Sequence, residues 1–548
     1  MQSQPSLDSP RLSVSPVTPW LANGPLRCAL NYATRGPRAR RYFAPTQIVH
    51  RRPLSPAMAR LQTKAPPLIV LKFGGTSVSS EENWDRIATI VTRCQEEGER
   101  PLVVLSAFSG VTTLLEQAVA GAVAGDFAPA AARLRKIHEE KARTLPPETQ
   151  EIVREELRQL EGALLGMSLL GEATPRSRAR VLATGEILST HIVAAALRVR
   201  NVNASWLDVR EVLRSVPVPG NPWRHYLSAP CTSDPDPEFQ GRLAEAAGPV
   251  ITQGFIARDT AGDTVVLGRG GSDTSAAYLA AHLQAKRLEI WTDVPGLFTA
   301  NPQLVPEARL LRRLNYREAQ EIATTGSHVL HPGCIPALRT AGIPIHVRST
   351  FHPEQPGTII AADERAAPPR LKAISIRRDV TLVIMDTVAM WQPVGFLADV
   401  FGCFRDEGIS VDLVSSSETT VTVSLNPQGD LTSTASLDRL MASLERRCDV
   451  RLMRGCAAVS LVGIGLRAQL HRIGALLETL QEHRVHLMSQ AANGLILTLV
   501  VDEDRAEPIA REFHERLIGD TEDPDVFGPS WSDLRGDLTT AGKTAPEP

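Results

Sequence analysis

The segment Pro67-Leu68-Ile69-Val70-Leu71-Lys72-Phe73-Gly74-Gly75-Thr76-Ser77 decides the fold class of this 548-residue chain. Its apolar run predicts a buried strand, and the paired glycines predict a tight turn into a helix. Ser79 stands three residues before Glu82, a spacing that predicts a capping box at the start of that helix. Beyond this unit, short apolar strands alternate with helical segments to about residue 362. This alternation predicts a largely parallel sheet with helices on both faces.

Composition and charge are those of an ordinary globular protein. Hydrophobic residues make up 43% of the chain and charged residues 22%, and the formal net charge is -2. This charge gives no reason to expect a nucleic-acid partner, and no apolar run in the sequence is long enough to predict a membrane span. The seven cysteines form no Cys-x-x-Cys pair. Their spacing favours reduced thiols in the cytoplasm over a disulfide framework or a metal site.

Residues 1–66 differ from the rest of the chain. They are rich in Pro, Ser and Arg, and Asp8 is their only acidic residue. This composition fits a transit-type leader, and it also fits a disordered extension that precedes a natural start at Met58. The arginines are not followed by an apolar core, which argues against a secretory signal. We favour the disordered extension.

A second glycine-rich turn, Leu267-Gly268-Arg269-Gly270-Gly271-Ser272-Asp273, follows a strand and precedes a helix predicted from Thr274 to about Lys286. Glycines let backbone N–H groups approach a phosphate at a helix start, and Lys72 adds fixed positive charge for a transferring phosphoryl group. Arg269 has a fork that suits a carboxylate, while Ser272 can cap the helix and Asp273 can orient reacting groups. Either turn alone is explained as well by a capped strand–helix connection. Two such turns in one sheet favour a site that handles phosphate.

The third motif is Trp291-Thr292-Asp293-Val294-Pro295-Gly296-Leu297-Phe298-Thr299-Ala300-Asn301-Pro302. An acidic residue after a strand, followed by a Pro-Gly turn, can line the site of a nucleotide base or ribose. Taken alone, the motif is equally consistent with an ordinary loop.

The pattern changes near residue 371, where two units of βαββαβ order predict an internal repeat of about 75 residues. The first unit has predicted strands at 381–385, 409–414, 420–425 and 449–453, and helices from Phe396 to Gly408 and near 437–447. The second unit has predicted strands at 457–462, 485–489 and 495–501, and helices over 470–483 and 505–517. A further helical pair is predicted within 127–165 of the first part.

These motifs, together with Gly185-Glu186 and Val329-Leu330-His331-Pro332, resemble the aspartate kinases of the amino-acid kinase family over about 68–517. The regions 205–245 and 380–425 and the segment Phe527–Trp531 look most like the aspartokinase half of fused aspartokinase–diaminopimelate decarboxylases. The resemblance implies an α/β three-layer sandwich with a mainly parallel sheet, followed by two ACT regulatory domains. The implied bounds are a catalytic domain at 67–362, ACT domains at 371–446 and 447–520, and a disordered tail at 521–548.

The resemblance also implies an activity and a set of site residues. The implied reaction moves the γ-phosphoryl group of ATP, used with Mg²⁺, to the side-chain carboxylate of L-aspartate, as the first step of lysine, threonine and methionine biosynthesis. The implied catalytic residues are Lys72, Arg269 and Asp273. The implied aspartate contacts are Thr112, Glu186 for the α-amino group, Phe255, Arg269 for the α-carboxylate, and Ser272. The implied nucleotide contacts are Lys72, Gly74, Gly75, Thr292, Asp293, Phe298, Gln303 and His328.

Two positions depart from the family pattern. His328 stands where the family often has a lysine, and Asn301-Pro302-Gln303 stands where it often has Asp-Pro-Arg. Both changes lower the positive charge expected near the ATP phosphates. We therefore expect weaker ATP binding without loss of the reaction, and an increase in ATP affinity on His328→Lys.

The resemblance further implies feedback inhibition by lysine, bound where ACT domains pair in a homodimer or larger assembly. Asp412 and Glu418 suit a cationic ligand, although composition alone favours solvated side chains at these positions and core side chains at Met390 and Phe396. The strand near 371–378 is expected to pair with the second unit. The matching effector positions are Met390, Phe396, Leu397, Ser410, Val411, Asp412, Ser417 and Glu418.

Two rival functions stay open at this point. One is a kinase of the same fold that acts on a glutamate derivative, a carbamate or a nucleotide, but such an enzyme is not expected to combine Thr112, Glu186 and paired ACT units. The other is a regulatory protein with an impaired kinase domain, which Gln303 and His328 favour and the intact Lys72 opposes.

Overall fold

The computed structural model describes residues 66–326, 329–362, 368–386, 395–425, 434–469, 471, 474, 480, 483–519, 521 and 523–540. The predictions for residues 1–65, His328 and Met390, and most of the helix predicted over 470–483, lie outside these residues.

The first part of the chain alternates strands and helices, as the sequence predicts. Its strands are β1 (Leu68–Phe73), β2 (Arg100–Leu105), β3 (Ser205–Leu207), β4 (Val250–Gln253), β5 (Ile256–Arg258), β6 (Thr264–Val266), β7 (Leu288–Thr292), β8 (Arg309–Leu311), β9 (Arg313–Asn315), β10 (Ile345–Ser349) and β11 (Thr358–Ala361). Its helices are α1 (Gly75–Val78), α2 (Glu81–Glu96), α3 (Val111–Ala124), α4 (Ala128–Ala142), α5 (Pro147–Leu170), α6 (Pro175–Val199), α7 (Pro222–Leu227), α8 (Pro237–Glu245), α9 (Gly271–Leu283), α10 (Tyr316–Thr324) and α11 (Ile335–Ala341). Helices α4 and α5 confirm the predicted helical pair.

Eight strands form the main sheet in the order β3-β4-β2-β1-β7-β10-β11-β9. All neighbours are parallel except β10 and β11, which confirms the mainly parallel sheet. Strand β1 lies near the centre of the sheet, so Ile69, Val70, Leu71 and Phe73 are covered on both faces and have no exposure to solvent. The carboxyl ends of β1, β2, β4 and β7 meet at one edge, the usual place for a ligand in such a sheet.

Two local predictions are wrong. The cap of α2 is Ser80, whose side chain accepts a hydrogen bond from the backbone N–H of Asn83, because Ser79 is turned toward Gly75 and Ser109 instead. Within the described part of the chain, strand β6 pairs only with β5, in a separate antiparallel ribbon, so the two glycine-rich turns do not leave strands of one sheet.

Helix α6 meets the length and hydropathy criteria for a membrane span, contrary to the prediction from sequence. It has 25 residues and a mean hydropathy of 1.2 over its most apolar window, but 89% of that window is buried inside the protein. A long apolar helix that is buried in this way is a core helix.

The second part contains a six-stranded antiparallel sheet in the order β13-β14-β12-β15-β17-β16. Its strands are β12 (Arg370–Asp386), β13 (Val414–Ser416), β14 (Thr420–Leu425), β15 (Asp449–Ile464), β16 (Val485–Gln490) and β17 (Ile496–Asp502). Its helices are α12 (Phe396–Asp406), α13 (Thr434–Glu445) and α14 (Glu503–His514). Strand β13 starts at Val414, so the strand predicted over 409–414 is wrong for most of its length.

The two repeat units share their long central strands. The start of β15 pairs with the end of β12 through Val450 and Met385, and the end of β15 pairs with the start of β12 through Leu461 and Ile374. This pairing confirms that the strand near 371–378 joins the second unit. It also shows that the strands predicted separately at 449–453 and 457–462 are one strand, because no turn interrupts the run.

The prediction of a disordered tail is wrong for residues 523–540. Strand β18 (Phe527–Ser530) pairs antiparallel with β8, and helix α15 (Trp531–Thr540) follows it. Phe527 and Leu534 are buried against the first part of the chain. Apolar burial of this kind offsets the entropy lost on ordering a terminal segment.

Candidate active site

Lys72 and Asp273 form a largely buried ion pair, with both side chains 12% exposed, where the two glycine-rich turns meet. Lys72 is the fifth residue of β1, and its Nζ lies 2.5 Å from Oδ1 of Asp273. Asp273 lies in the first turn of α9, where the helix dipole stabilises a negative charge. Its Oδ2 accepts a hydrogen bond from the backbone N–H of His331, 3.2 Å away. The structure therefore brings the predicted catalytic lysine and aspartate together with the Val-Leu-His-Pro motif.

The turn at Gly74-Gly75 lies directly against the loop that follows β2. A Cβ atom at Gly75 would lie 3.0 Å from the carbonyl oxygen of Ala107 and 3.4 Å from the nitrogen of Ser109, so only glycine fits without displacing this loop. Oγ of Ser79 accepts a hydrogen bond of 2.9 Å from the N–H of Ser109 and fastens the same two segments. The Gly74-Gly75 turn, called the phosphate turn below, is thus in direct contact with the loop that precedes Thr112.

Glu186 is wholly buried in α6 beside that loop. Its Oε1 accepts a hydrogen bond of 3.3 Å from the N–H of Ala107, while Oε2 has no hydrogen-bond partner among the described residues. Burial raises the pKa of Glu186 to about 8, against the opposing effect of the hydrogen bond from Ala107. A buried carboxyl oxygen without a partner is costly unless a ligand completes it. An ammonium group is the ligand that would do so.

The other predicted aspartate contacts lie at the starts of α3 and α9. Thr112 is partly exposed in the first turn of α3. Phe255 is held at a φ of 66°, which is unusual for a residue with a side chain, and its N–H donates to Oγ of Ser275 at 3.0 Å. Ser275 in turn donates to the carbonyl oxygen of Ser272. Phe255 and Ser272 are therefore neighbours at the start of α9.

Arg269 is exposed at the tip of the second glycine-rich turn. The next residue, Gly270, has a φ of 65° and lies so close to His331 that a Cβ atom would overlap the imidazole ring. Burial lowers the pKa of His331, Asp273 opposes that effect, and Arg269 adds to it. The exposed position of Arg269 allows it to reach a bound carboxylate.

Only some of the residues predicted to contact the nucleotide are exposed at the surface. Thr292 ends β7 beside β1, its hydroxyl donates to Oδ1 of Asp293 at 3.1 Å, and Asp293 is exposed. Gln303 is also exposed, and its N–H donates to Oδ1 of Asn301. Phe298 is only 8% exposed and lies in a small apolar core, which is not the position expected of a side chain that contacts adenosine.

Two positioning contacts were missed by sequence reasoning. Lys141 on α4 donates to the carbonyl oxygen of Ser79 and stands 4.8 Å from the ring centroid of Phe108. His138, one turn earlier, packs its ring against the same Phe108. Helix α4 looks like an ordinary charged helix in the sequence, because nothing local shows that its buried side reaches the loop after β2.

The described effector positions lie on the first turn of α12 and on the segments beside β13. Leu397 is 45% exposed and Glu418 is exposed, whereas Phe396 and Val411 pack against the core of the first unit. Asp412 is already in an ion pair, since its Oδ2 lies 3.0 Å from Nη1 of Arg377. Ser410 is exposed, and Ser417 accepts a hydrogen bond from the N–H of Thr420.

Comparison with known proteins gives the same class as the fold and the site. Residues 67–349 match the family model described as the amino acid kinase family. The chain is 33% identical over 466 residues to lysine-sensitive aspartokinase 3 of Escherichia coli, covering 82% of this chain and 99% of that protein. It is 31% identical to the chloroplastic aspartokinase 1 of Arabidopsis thaliana, covering 82% of this chain and 80% of that protein.

Solved structures agree with these relatives. The crystal structure of E. coli aspartokinase III with aspartate and ADP matches with a TM-score of 0.71 and 32% identity, over 82% of this chain and 99% of that one. The structure of the same enzyme with lysine and aspartate matches with a TM-score of 0.65 over the same shares of the two chains. The class is that of the amino acid kinases. Within that family, the chain belongs to the aspartokinases.

Proposed function

We propose that this protein transfers the γ-phosphoryl group of ATP to the side-chain carboxylate of L-aspartate and forms 4-phospho-L-aspartate. The observation that carries the proposal is the position of Ala107. Its N–H binds the buried Glu186, and its carbonyl oxygen lies against Gly75 of the phosphate turn. An amino-acid site and a phosphate site therefore share one residue, as transfer between their two ligands requires.

The site residues have two roles: some bind aspartate, and others neutralise charge during the transfer. Glu186 takes the α-amino group, Arg269 takes the α-carboxylate, and Thr112, Phe255 and Ser272 line the same pocket. Lys72 and the N–H groups at the start of α1 neutralise the negative charge that develops during phosphoryl transfer. Mg²⁺ bound to the substrate ATP would supply further positive charge at the phosphates. The acceptor carboxylate is already ionised near pH 7, so it needs positioning more than a general base.

Hydroxylamine trapping of the acyl phosphate tests this proposal directly. We expect aspartyl hydroxamate from the purified protein with ATP and aspartate, and a loss of kcat on the order of 100-fold or more in Lys72→Ala. Lys136→Ala is the matched control because Lys136 is exposed on α4, and it should behave as the wild type. Hydroxamate formed only from a glutamate derivative would favour the first rival, and no product with any acceptor would favour the impaired kinase.

Lysine is the proposed effector, and its ammonium group would replace the guanidinium of Arg377 at Asp412. The support is the ion pair that Asp412 already makes, which shows that its carboxylate holds a cation in the fold. We expect millimolar lysine, but not threonine alone, to inhibit the wild type, and Arg377→Ala to need less lysine for the same inhibition. Insensitivity of the wild type to lysine would remove this assignment.

Three further expectations accompany the proposed function: the oligomeric state, the cellular location and the subfamily. We infer assembly into a homodimer or larger oligomer through the regulatory units, which size-exclusion chromatography with light scattering can measure. A cytoplasmic location is supported by the six described cysteines, which are all free and buried. A particular relationship to the aspartokinase half of fused decarboxylases is supported by the ordered segment Phe527–Trp531, and a search for the same segment in such fusions would test it.

A further inference from the structure

The nucleotide loop, residues 292–303, is built as the outer strand of a small sheet. The N–H of Thr299 donates to the carbonyl oxygen of Arg309 at 2.9 Å, and the N–H of Leu311 donates to the carbonyl oxygen of Leu297 at 2.8 Å. Residues 297–299 therefore pair along one edge of β8. The shape of the loop depends on where β8 is held.

The other edge of β8 is occupied by the C-terminal segment, residues 523–535. Strand β18 pairs with β8 there, and the N–H of Trp531 donates to the carbonyl oxygen of Ala308 at 2.9 Å. Arg309 donates to the carbonyl oxygen of Gly528 in this segment, at 3.2 Å, and to that of Thr521 just before it, at 2.7 Å. The segment thus fixes β8 through both its backbone and its side chains.

Side chains of the C-terminal segment also touch the nucleotide loop itself. The ring centroids of Trp531 and Phe298 lie 5.6 Å apart at an interplanar angle of 89°, a favourable edge-to-face contact. Leu534 is buried in the same apolar cluster, which also contains Ala300 and Val305. Phe298 and Ala300 are members of the loop, so the cluster anchors the loop from the side of α15.

The regulatory part holds the same loop from a second direction. The N–H of Ile374 on β12 donates to the carbonyl oxygen of Thr299 at 2.7 Å. Oγ1 of Thr299 accepts from the N–H of Arg309 and lies 2.8 Å from Nε2 of His514. Burial lowers the pKa of His514 to about 4, so its neutral ring can accept the one proton that the hydroxyl donates. Thr299 is therefore fixed at both its backbone and its side chain.

We propose that Trp531 and the C-terminal segment are positioning elements of the nucleotide site, which hold residues 292–303 in the shape that binds ATP. This inference rests on the nucleotide half of the proposed function. Gln303 supplies no positive charge to the ATP phosphates. The affinity for ATP must therefore depend more strongly on a loop whose backbone is already in the binding conformation before ATP binds. A loop released from Trp531 has to be ordered by the nucleotide, which weakens nucleotide binding and leaves aspartate binding unchanged.

The test compares Trp531→Ala with Trp531→Phe in the full chain, using Mg-ADP titration calorimetry and the KM values for ATP and aspartate. We expect Trp531→Ala to weaken ADP binding and raise the KM for ATP about tenfold, while the KM for aspartate changes less than about twofold. Trp531→Phe should recover most of the ADP affinity. Leu534→Ala should shift ADP binding in the same direction by a smaller factor.

Leu440→Ala is the matched control, because Leu440 is fully buried in the first regulatory unit and lies outside the nucleotide cluster. It should lower thermal stability without changing ADP affinity. Unchanged ADP affinity in Trp531→Ala, or an equal rise in both KM values, would overturn the inference. If the wild type gives no aspartyl hydroxamate but binds ADP in a Trp531-dependent way, the positioning role stands and the choice of aspartate as acceptor fails.

Discussion

Glu186 is the residue whose environment says most about the substrate. Glu186 lies on α6, and its carboxyl group is buried with Oε2 lacking a hydrogen-bond partner among the described residues. Burial raises the pKa of this carboxyl group to about 8. The folded pKa lies above the unfolded value, so the fold favours the protonated form. Stability therefore falls as the pH rises from the unfolded pKa near 4.5 toward 8, and it is constant beyond that window. A bound ammonium group would reverse this preference.

The first prediction is that aspartate binding releases a proton from Glu186. At pH 7 this group should be largely protonated in the free protein, because burial raises its pKa to about 8, and the α-ammonium of aspartate should expel the proton. Calorimetry in buffers of different ionisation enthalpy measures the release directly. The KM for aspartate should fall between pH 6 and 8 and then level off. Glu186→Gln should bind aspartate weakly and release no proton, and release that persists in this variant would assign the proton to another group.

A second prediction concerns Gln303, the exposed last residue of the nucleotide loop. Gln303→Arg should lower the KM for ATP by a factor of about two to five, because an exposed positive charge gains little more than this from a phosphate in water. The gain should shrink as salt is added. Gln303→Glu is the charge-reversed control and should raise the KM. Equal KM values in all three proteins would mean that this position does not face the phosphates.

Helix α4 shows how an element can serve the site without belonging to it. Lys141 crosses from α4 to the carbonyl oxygen of Ser79 and lies over Phe108, so one side chain holds the phosphate turn and the loop after β2. Burial lowers the pKa of Lys141, which marks a cation held partly out of water. Helix α4 thus supports the phosphate turn and the loop after β2, which must keep a fixed separation during phosphoryl transfer.

The third prediction is that Lys141→Met lowers kcat/KM for both ATP and aspartate about tenfold, because both loops lose a common support. Lys141→Arg keeps a donor at this position and should recover most of the activity. Lys136→Met removes an exposed charge from the same helix and should have no effect. A fall confined to one substrate would show that Lys141 supports only one of the two loops.

The elements near the site were predictable where the signal is local. The buried run of β1, the second glycine-rich turn and the helices α4 and α5 follow from apolar periodicity and glycine placement. Pairings between distant segments were not predictable, because β6 has the same apolar character whether it joins β5 or the main sheet. Ser79 and Ser80 both suit a helix cap, and only the contact with Ser109 decides between them.

At the scale of the whole molecule, the catalytic and regulatory parts are joined through buried contacts. Strand β12 carries Lys372, whose Nζ lies 2.7 Å from Oε2 of Glu318 on α10, and both side chains are buried. Ser375 donates to Oγ1 of Thr325 at 2.6 Å just beyond the same helix. Neither contact could be predicted, since a lysine in a strand of alternating polarity is normally assigned to solvent. The order of the repeated units was predictable, but the continuity of β12 and β15 through both units was not.

The last prediction tests this joint. Lys372→Met removes the ammonium group that lies 2.7 Å from the buried carboxylate of Glu318, which should cost on the order of 3 kcal/mol and lower the midpoint of urea unfolding. Adding Glu318→Gln to Lys372→Met also removes the buried negative charge and should recover part of the loss. Lys286→Met is the control, because Lys286 is 56% exposed in its ion pair with Glu99 and should cost under about 1 kcal/mol. If Lys372→Met unfolds at the wild-type midpoint, the regulatory part is held to α10 by its apolar contacts and backbone pairing instead of by this ion pair.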